Sequence, residues 1–344
     1  MTVCRMLADA STSAWDRFVA SQATATHFHQ AAWGKLIERV FGHKPYYLLA
    51  EQDGAITGVL PLVHMRTRLF GASLASLPFC VYGGPLAADA ATSESLMSRA
   101  AQLQQELRAP VLELRLRDAP AGAWEGWAVR DTLYVTFRRA ITASDDANLK
   151  AIPRKQRAMV RKGIELGLRS ELSREASAVY PIYAESVRNL GTPVFPKRWF
   201  EALLTAFPDS DVVTVIDGER PIAAVLNLYW RGEVLPYYGG GTAAARGRYG
   251  NDFLYWEVMR RAAAAGCTAF DFGRSKAGTG AYAFKKNWGF TPDPLPYHYH
   301  LAPGADIPDL NPLNPKYRLM IAAWQRLPLK LANLLGPPIV RGLG

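Results

Sequence analysis

Residues 269–290, AFDFGRSKAGTGAYAFKKNWGF, hold the chain's densest mixture of charged and aromatic side chains. Asp271 stands between Phe270 and Phe272 on a short predicted strand. Desolvation raises the pKa of an acid among aromatics and suits it to general-base work; the plainer reading is a strand-end aspartate paired with Arg274. Arg274, Lys276, Lys285 and Lys286 follow closely, spaced by Gly278 and Gly280 and interleaved with Tyr282, Phe284, Trp288 and Phe290. Upstream, Tyr237-Tyr238-Gly239-Gly240-Gly241-Thr242 ends a strand. Glycines let a backbone approach a ligand closely and leave N–H groups to hold a developing oxyanion; the same run also serves as an ordinary loop or bulge. Arg246-Gly247-Arg248-Tyr249-Gly250 then precedes a helix for which Asn251 or Asp252 is the expected cap. A Gly/Arg loop at a helix N-terminus is an anion site, unless it is only a capped helix start. A base, an oxyanion cradle and an anion loop are therefore the candidate chemistry of this part of the chain.

Other chemistries leave no such trace. The chain has no G-x-S-x-G elbow, no G-x-x-x-x-G-K-[ST] phosphate loop and no H-E-x-x-H pair. His27/His29 and His298/His300 lack nearby acid or cysteine partners and read as structural histidines, so no metal site is expected.

The elements that must position this cluster recur. Residues 28–37 and 195–204, 47–63 and 212–228, 77–86 and 235–242, and 96–115 and 254–272 pair off in the same order. Asp53-Gly54 and Asp217-Gly218 mark the two hairpin turns. Each copy reads helix, hairpin, strand with Gly-Gly, helix, strand, which predicts an α/β (α+β) fold of two tandem units, each a mixed sheet flanked by helices. The polar stretch 141–153 ends in Pro153, suited to a helix first turn, and marks the boundary. The expected organisation is therefore 1–145, 146–305 carrying the site, and 306–344 as a Pro/Asn/Asp-rich linker and a last helix near 316–335 kinked by Pro328.

At 344 residues, 49% hydrophobic and 20% charged, the chain is long enough for two cored domains and is neither disordered nor collagen-like. Three scattered cysteines suggest a reducing compartment. The N-terminal residues lack the apolar core of a secretory signal, and no apolar run approaches a transmembrane length. The net charge of +10 is localised. Residues 147–164 carry Lys150, Arg154, Lys155, Arg157, Arg161 and Lys162 without an acid; residues 311–344 carry Lys316, Arg318, Arg326, Lys330 and Arg341, again without one. Arg154, Arg157 and Arg161 form one stripe on a predicted helix. Such stripes are solvated faces or meet phosphates and anionic surfaces. The last helix, with Leu319, Trp324, Leu327, Leu331 and Leu334 among its cations, either packs back on the domains or lies on anionic lipid.

These tandem units resemble the FemAB-like branch of the GNAT acyltransferase superfamily over about residues 15–300. The stretch FDFGRSKAGTGAYAFKKNWGF resembles the version in FemAB-type proteins associated with PEP-CTERM/exosortase clusters and exopolysaccharide loci. The resemblance implies two GNAT-like domains and transfer of an acyl or aminoacyl group to an amine of a cell-envelope or exopolysaccharide precursor. The donor would be aminoacyl-tRNA, with tRNA as a partner, or acyl-CoA; no tightly bound cofactor is implied. Phe284-Lys285 resembles the family's Phe-Lys pair, whose lysine serves the reacting centre, and Arg154–Lys162 its basic helix. The loop Arg246–Asn251 departs from the R/Q-x-x-G-x-G/A spacing of CoA-dependent members. The expected site is therefore Asp271 as base and Lys285 with Phe284 at the reacting centre. Tyr238, Gly239, Gly240, Arg246, Arg248, Asn251, Arg274, Tyr282, Arg154, Arg157 and Arg161 would bind substrate. Lys285→Ala is expected to abolish turnover and leave stability nearly unchanged. The expected location is cytoplasmic or peripheral at the inner membrane face through 316–335. The alternative to an enzyme is a non-catalytic membrane accessory of polysaccharide or protein-sorting machinery.

Overall fold

The computed structural model describes residues 3–7, 12–118, 124–308 and 318–344. In chain order the first elements are β1 (Val3–Met6), α1 (Thr12–Ser21), α2 (Ala32–Phe41), β2 (Lys44–Gln52), β3 (Ala55–Thr67), β4 (Gly71–Ala75), β5 (Leu86–Ala87), α3 (Ala90–Glu106), β6 (Val111–Arg115), β7 (Trp127–Arg130) and β8 (Tyr134–Ala140). Then come α4 (Asp145–Ala151), α5 (Arg154–Glu165), β9 (Arg169–Ser173), α6 (Ala176–Asn189), α7 (Lys197–Ala206), β10 (Asp211–Asp217), β11 (Arg220–Trp230) and β12 (Glu233–Gly241). The chain closes with α8 (Ala243–Gly247), α9 (Gly250–Ala264), β13 (Ala269–Asp271), β14 (Ser275–Lys276), α10 (Gly280–Asn287), β15 (Pro292–Pro294), β16 (Tyr297–Leu301), α11 (Arg318–Gln325) and α12 (Leu329–Val340).

Two compact units result. One takes Met1–Tyr134, Pro294–Asp309 and Arg341–Gly344; the other takes Val135–Asp293 and Leu310–Val340. The first sheet runs β1-β2-β3-β4-β6-β16-β7 with β5 on β3; the second runs β14-β8-β13-β12-β11-β10-β9 with β15 on β8. This is the predicted α/β arrangement of tandem mixed sheets flanked by helices. The repeat holds in detail. The β2–β3 hairpin turns at Asp53 and Gly54, both in the left-handed region that suits a two-residue turn, and Gly218 turns β10 into β11. Each first hairpin strand has a register shift near its end, at Ala50/Glu51 and Val215/Ile216. Each sheet also has a short parallel pairing in the same place: Leu74↔Leu112 and Ala75↔Glu113 in the first, Glu233↔Ala269 and Val234↔Phe270 in the second.

The unit boundaries differ from the expected 145/146 and 305. β8 joins the second sheet through Ala140↔Ala269 to Arg138↔Asp271, so that unit starts at Val135. β16 lies between β6 and β7 in the first sheet. Strand exchange of this kind leaves no mark in a linear pattern, because any alternating strand fits either sheet. The basic helix is likewise two helices: Ile152 is extended, and Pro153 is the N-cap of α5 rather than a first-turn residue. The last helix is divided at Pro328 into α11 and α12, and α12 runs on to Val340 through Pro337 and Pro338. Lys316 and residues 309–315 of the expected linker lie outside the described residues.

The second unit's core joins Val213, Val215 and Val225 from the hairpin to Phe253, Leu254 and Val258 of α9 and to Phe270, Trp288 and Phe290. The first unit packs Leu48, Leu60, Leu62, Leu112 and Leu114 against Leu96 and Leu103 of α3. Among the described residues, no helix is long and apolar enough to cross a membrane.

Candidate active site

Among the described residues, β12 pairs with β13 only at Glu233↔Ala269 and Val234↔Phe270, so that edge is open to β13 beyond Val234, while its other edge stays bonded to β11 as far as Gly241. A bulge lies on the β11 side of this strand: Leu226 pairs with Tyr238 and Asn227 with Pro236, so Tyr237 is the extra residue on β12. The glycine run is thus a strand end rather than a loop, and packing explains its composition. A Cβ at Gly239 would lie 2.6 Å from the Val225 Cβ; at Gly240 it would strike Ser186 Oγ, and at Gly241 Asn251 Oδ1. Tyr238 is buried in an aromatic cluster with Tyr183, Phe195 and Phe200, at centroid distances of 5.8, 5.2 and 5.4 Å, whereas Tyr237 is half-buried at the bulge.

From Gly241 the chain enters α8 and the turn to α9. Tyr249, in the left-handed region at φ 58°, is the N-cap of α9, so neither Asn251 nor Asp252 caps it. Asn251 sits over Gly241, and Asp252 accepts from Trp288 Nε1 at 2.9 Å. Burial raises the Asp252 pKa and the Trp288 bond partly offsets this. The two loop arginines part company. Arg248 makes a bidentate pair with Asp217, Nε to Oδ2 at 2.7 Å and Nη2 to Oδ1 at 2.8 Å, so its fork is occupied and the expected phosphate role does not fit this geometry. Arg246 is exposed and makes no hydrogen bond or ion pair among the described residues.

The β13–α10 segment holds the predicted acid and lysine close together. Asp271 is 1% exposed; its Oδ1 accepts from the Gly273 N–H at 2.6 Å and from the Thr136 hydroxyl at 3.2 Å. Lys285 Nζ donates to three main-chain carbonyls, those of Phe272 at 2.6 Å, Gly273 at 3.0 Å and Arg274 at 3.2 Å. It lies 5.8 Å from the centre of the Phe137 ring and 6.0 Å from that of Phe272. Burial pushes the lysine down to about 7; Asp271 pulls it back up and Arg274 adds to the depression. All three protons of the ammonium are therefore engaged, and Lys285 pins the turn that follows β13. That structural share runs against the expectation that its loss would leave stability untouched. Phe284 is packed with Tyr255 and Trp288, at 5.5 and 6.0 Å, and Tyr282 lies edge-on to Phe137 at 5.5 Å.

The C-terminal half of α5 packs beside the start of α9. α5 approaches α9 closely where a Cβ at Gly163 would lie 3.0 Å from that of Phe253, and Lys162 Nζ lies 5.3 Å from the Tyr249 ring centre. Arg154 and Arg161 are exposed; Arg157 donates to the Lys150 carbonyl at 3.0 Å. The structure thus brings together Asp271, Lys285, Phe284, Arg274 and Tyr282 in one segment and sets Asn251 over Gly241 at the end of β12, while Arg246 lies exposed on α8. Thr136, Ser186 and Glu185, whose Oε1 accepts from the Ala243 N–H at 3.0 Å, were not legible as site residues. They come from β8 and α6, far along the chain, with no local pattern to mark them.

Of the histidines expected to be structural, all in the first unit, His27, His29 and His298 are buried and His300 is half-buried. His29 Nε2 lies 3.1 Å from the Gly84 carbonyl, and Trp33 Nε1 donates to His27 Nδ1 at 3.2 Å. Burial pushes His27 down to about 3 and His29 to about 4, keeping both neutral. His29 also lines a cavity of about 270 Å³ with Tyr82, Asp89, Ser93, Arg117 and Trp124.

Comparison with known proteins agrees with this architecture. Residues 148–286 match the family model described as an acetyltransferase (GNAT) domain. Among curated proteins none matches the chain in sequence. A solved structure of FemX is similar with a TM-score of 0.67 and 14% identity, over 93% of this chain and 100% of that one. A tandem GNAT protein from the clavulanic acid biosynthesis pathway gives 0.54 and 11%, over 89% and 100%. The L-PGS structure from Bacillus licheniformis gives 0.54 and 11%, over 93% and 97%. The fold is therefore that of a tandem GNAT-like protein, with the family match lying in the second unit.

Proposed function

We propose that the second unit is an N-acyltransferase that moves an acyl group from acyl-CoA to an amine. The observation that carries this reading is the parting of β12 from β13 after Val234, next to the start of α9 and inside the stretch matched by the GNAT domain model. The acceptor nitrogen attacks the thioester carbonyl carbon, forming the C–N bond and a tetrahedral oxyanion. Main-chain N–H groups on the open edge of β12 stabilise that oxyanion without needing to reorganise. Collapse breaks the C–S bond and releases the CoA thiolate, which takes up the proton that Lys285 has received from the amine. Arg246, exposed and without a side-chain partner among the described residues, holds a donor phosphate.

Lys285 receives the proton of the attacking amine. With its pKa pushed down to about 7 it is partly neutral at neutral pH, where a general base works best. Once protonated, it is received by the three carbonyls it already faces and by the nearby charge of Asp271. Asp271 itself is buried and held by Thr136 and Gly273, so it is a positioning residue in this scheme rather than the base first expected. Phe284 and Tyr282 supply the apolar wall, and Asn251 fixes the glycine edge.

The acceptor class, an amine on a cell-envelope or exopolysaccharide precursor, rests on the family resemblance. Aminoacyl-tRNA is the second donor reading, favoured by the exposed arginines Arg154 and Arg161 of α5, the helix that packs on α9. Thiol release from acetyl-CoA in the presence of a panel of amino sugars and peptide amines tests both. Amine-dependent release, lost in Lys285→Met, supports the CoA reading. No release, with charged-tRNA binding that CoA leaves unchanged, transfers the assignment to the aminoacyl donor.

A further inference from the structure

α12 is built inside out. Its small face, Ala332, Gly336 and Val340, is buried; the helix packs on α6, and a Cβ at Gly336 would lie 2.8 Å from the Val194 backbone nitrogen. Its leucine face points away: Leu331 is 40% exposed, Leu334 70% and Leu335 42%. α11 has no buried residue and exposes Leu319 at 84% and Met320 at 68%. The pair is nevertheless fixed to α6. Arg188 donates to the Gln325 carbonyl at 3.2 Å, and Gln325 donates back to that of Asn189 at 3.2 Å. A helix that hides alanine and glycine while showing leucine reverses the burial order that water imposes on a free-standing domain. The exposed cations Arg318, Arg326 and Lys330 lie among these leucines, and residues 310–344 contain no acid.

We infer that the α11–α12 face docks on an anionic bilayer surface, its leucines in the headgroup–acyl boundary and its cations on lipid phosphates. Charge decides the occupant. Two copies of this face brought together would oppose like charges, whereas anionic lipid supplies an apolar layer and negative charge together. At eight and twelve residues the helices lie along a membrane and do not cross it. An enzyme held in this way meets acceptors that are themselves lipid-anchored.

Co-sedimentation of the full chain with vesicles of phosphatidylcholine alone, or with a quarter phosphatidylglycerol, tests this. The inference expects partition onto the anionic vesicles to be about tenfold stronger and to weaken with salt. Leu319→Ser with Leu334→Ser and Leu335→Ser is expected to reduce that partition about tenfold while the unfolding curve stays in place, since all three side chains are exposed. Arg318→Gln with Arg326→Gln and Lys330→Gln removes the preference for anionic lipid. Equal partition of wild type and both variants overturns the inference. So does a solution dimer that the leucine variant converts to monomer, which would assign the face to a second copy of the chain.

Discussion

Lys285 gives the account a prediction that needs no substrate. In an unfolded chain a lysine titrates near 10.4, whereas burial brings Lys285 down to about 7 in the folded protein. Below about pH 7 both states carry the proton, and burying the charge costs the folded state a constant amount. Between about 7 and 10.4 the unfolded chain holds one proton more than the folded one, so stability rises with pH. The limiting gradient from this group is about 1.4 kcal/mol per pH unit, which amounts to about 2 kcal/mol between pH 7 and pH 9 because the folded lysine is still half protonated at pH 7. Lys285→Met fills the same channel with a side chain that has no titration. Urea unfolding of both proteins at pH 6, 7, 8 and 9 isolates the effect as the difference between their unfolding free energies, which cancels every other titrating group. That difference should be flat up to pH 7 and then climb in favour of wild type. A difference that stays flat to pH 9 would mean that Lys285 remains charged, and it would remove the neutral amine on which the proposed proton transfer rests.

Further outcomes follow from individual contacts. Arg246→Ala should weaken CoA binding about tenfold, while Arg248→Ala, whose fork is already held by Asp217, should leave it unchanged; calorimetric titration separates the two. Gly240→Ala drives a methyl into Ser186 and should cost about 1–3 kcal/mol by denaturant unfolding, with part of the loss restored by Ser186→Gly. Glu257 is 7% exposed; burial pushes its pKa up, but its bonds to Arg260 and Ser170 outweigh this and hold it below the usual carboxylate range. Its share of stability is therefore present above the unfolded pKa of about 4.3 and is lost as pH falls through the folded value, a loss that Glu257→Gln should abolish in acid-unfolding curves.

The tandem organisation was legible because hairpin, strand and helix recur with their turn residues, and the structure repeats even the register shifts at Ala50/Glu51 and Val215/Ile216. The cluster from Asp271 to Lys285 was legible because its members are close in sequence. What stayed hidden was long-range partnership. Nothing near Arg248 shows that Asp217 would occupy it, and nothing near Gly240 shows that Ser186 on α6 makes a side chain impossible there. The exchange of β8 and β16 between sheets was equally invisible, since an alternating strand specifies its faces but not its neighbours. The apolar and basic character of the last helical stretch was legible, but not its division into α11 and α12 or that Ala332, Gly336 and Val340 are its buried side.

The central claim is that the open edge of β12 and the turn into α9 receive a CoA thioester. Hydrogen exchange of the full chain with and without CoA tests it most directly, since it reports where the ligand sits before any acceptor is known. The account predicts slowed exchange concentrated in residues 235–253, and its loss in Arg246→Ala. Unchanged exchange there, or protection confined to the first unit, would contradict it.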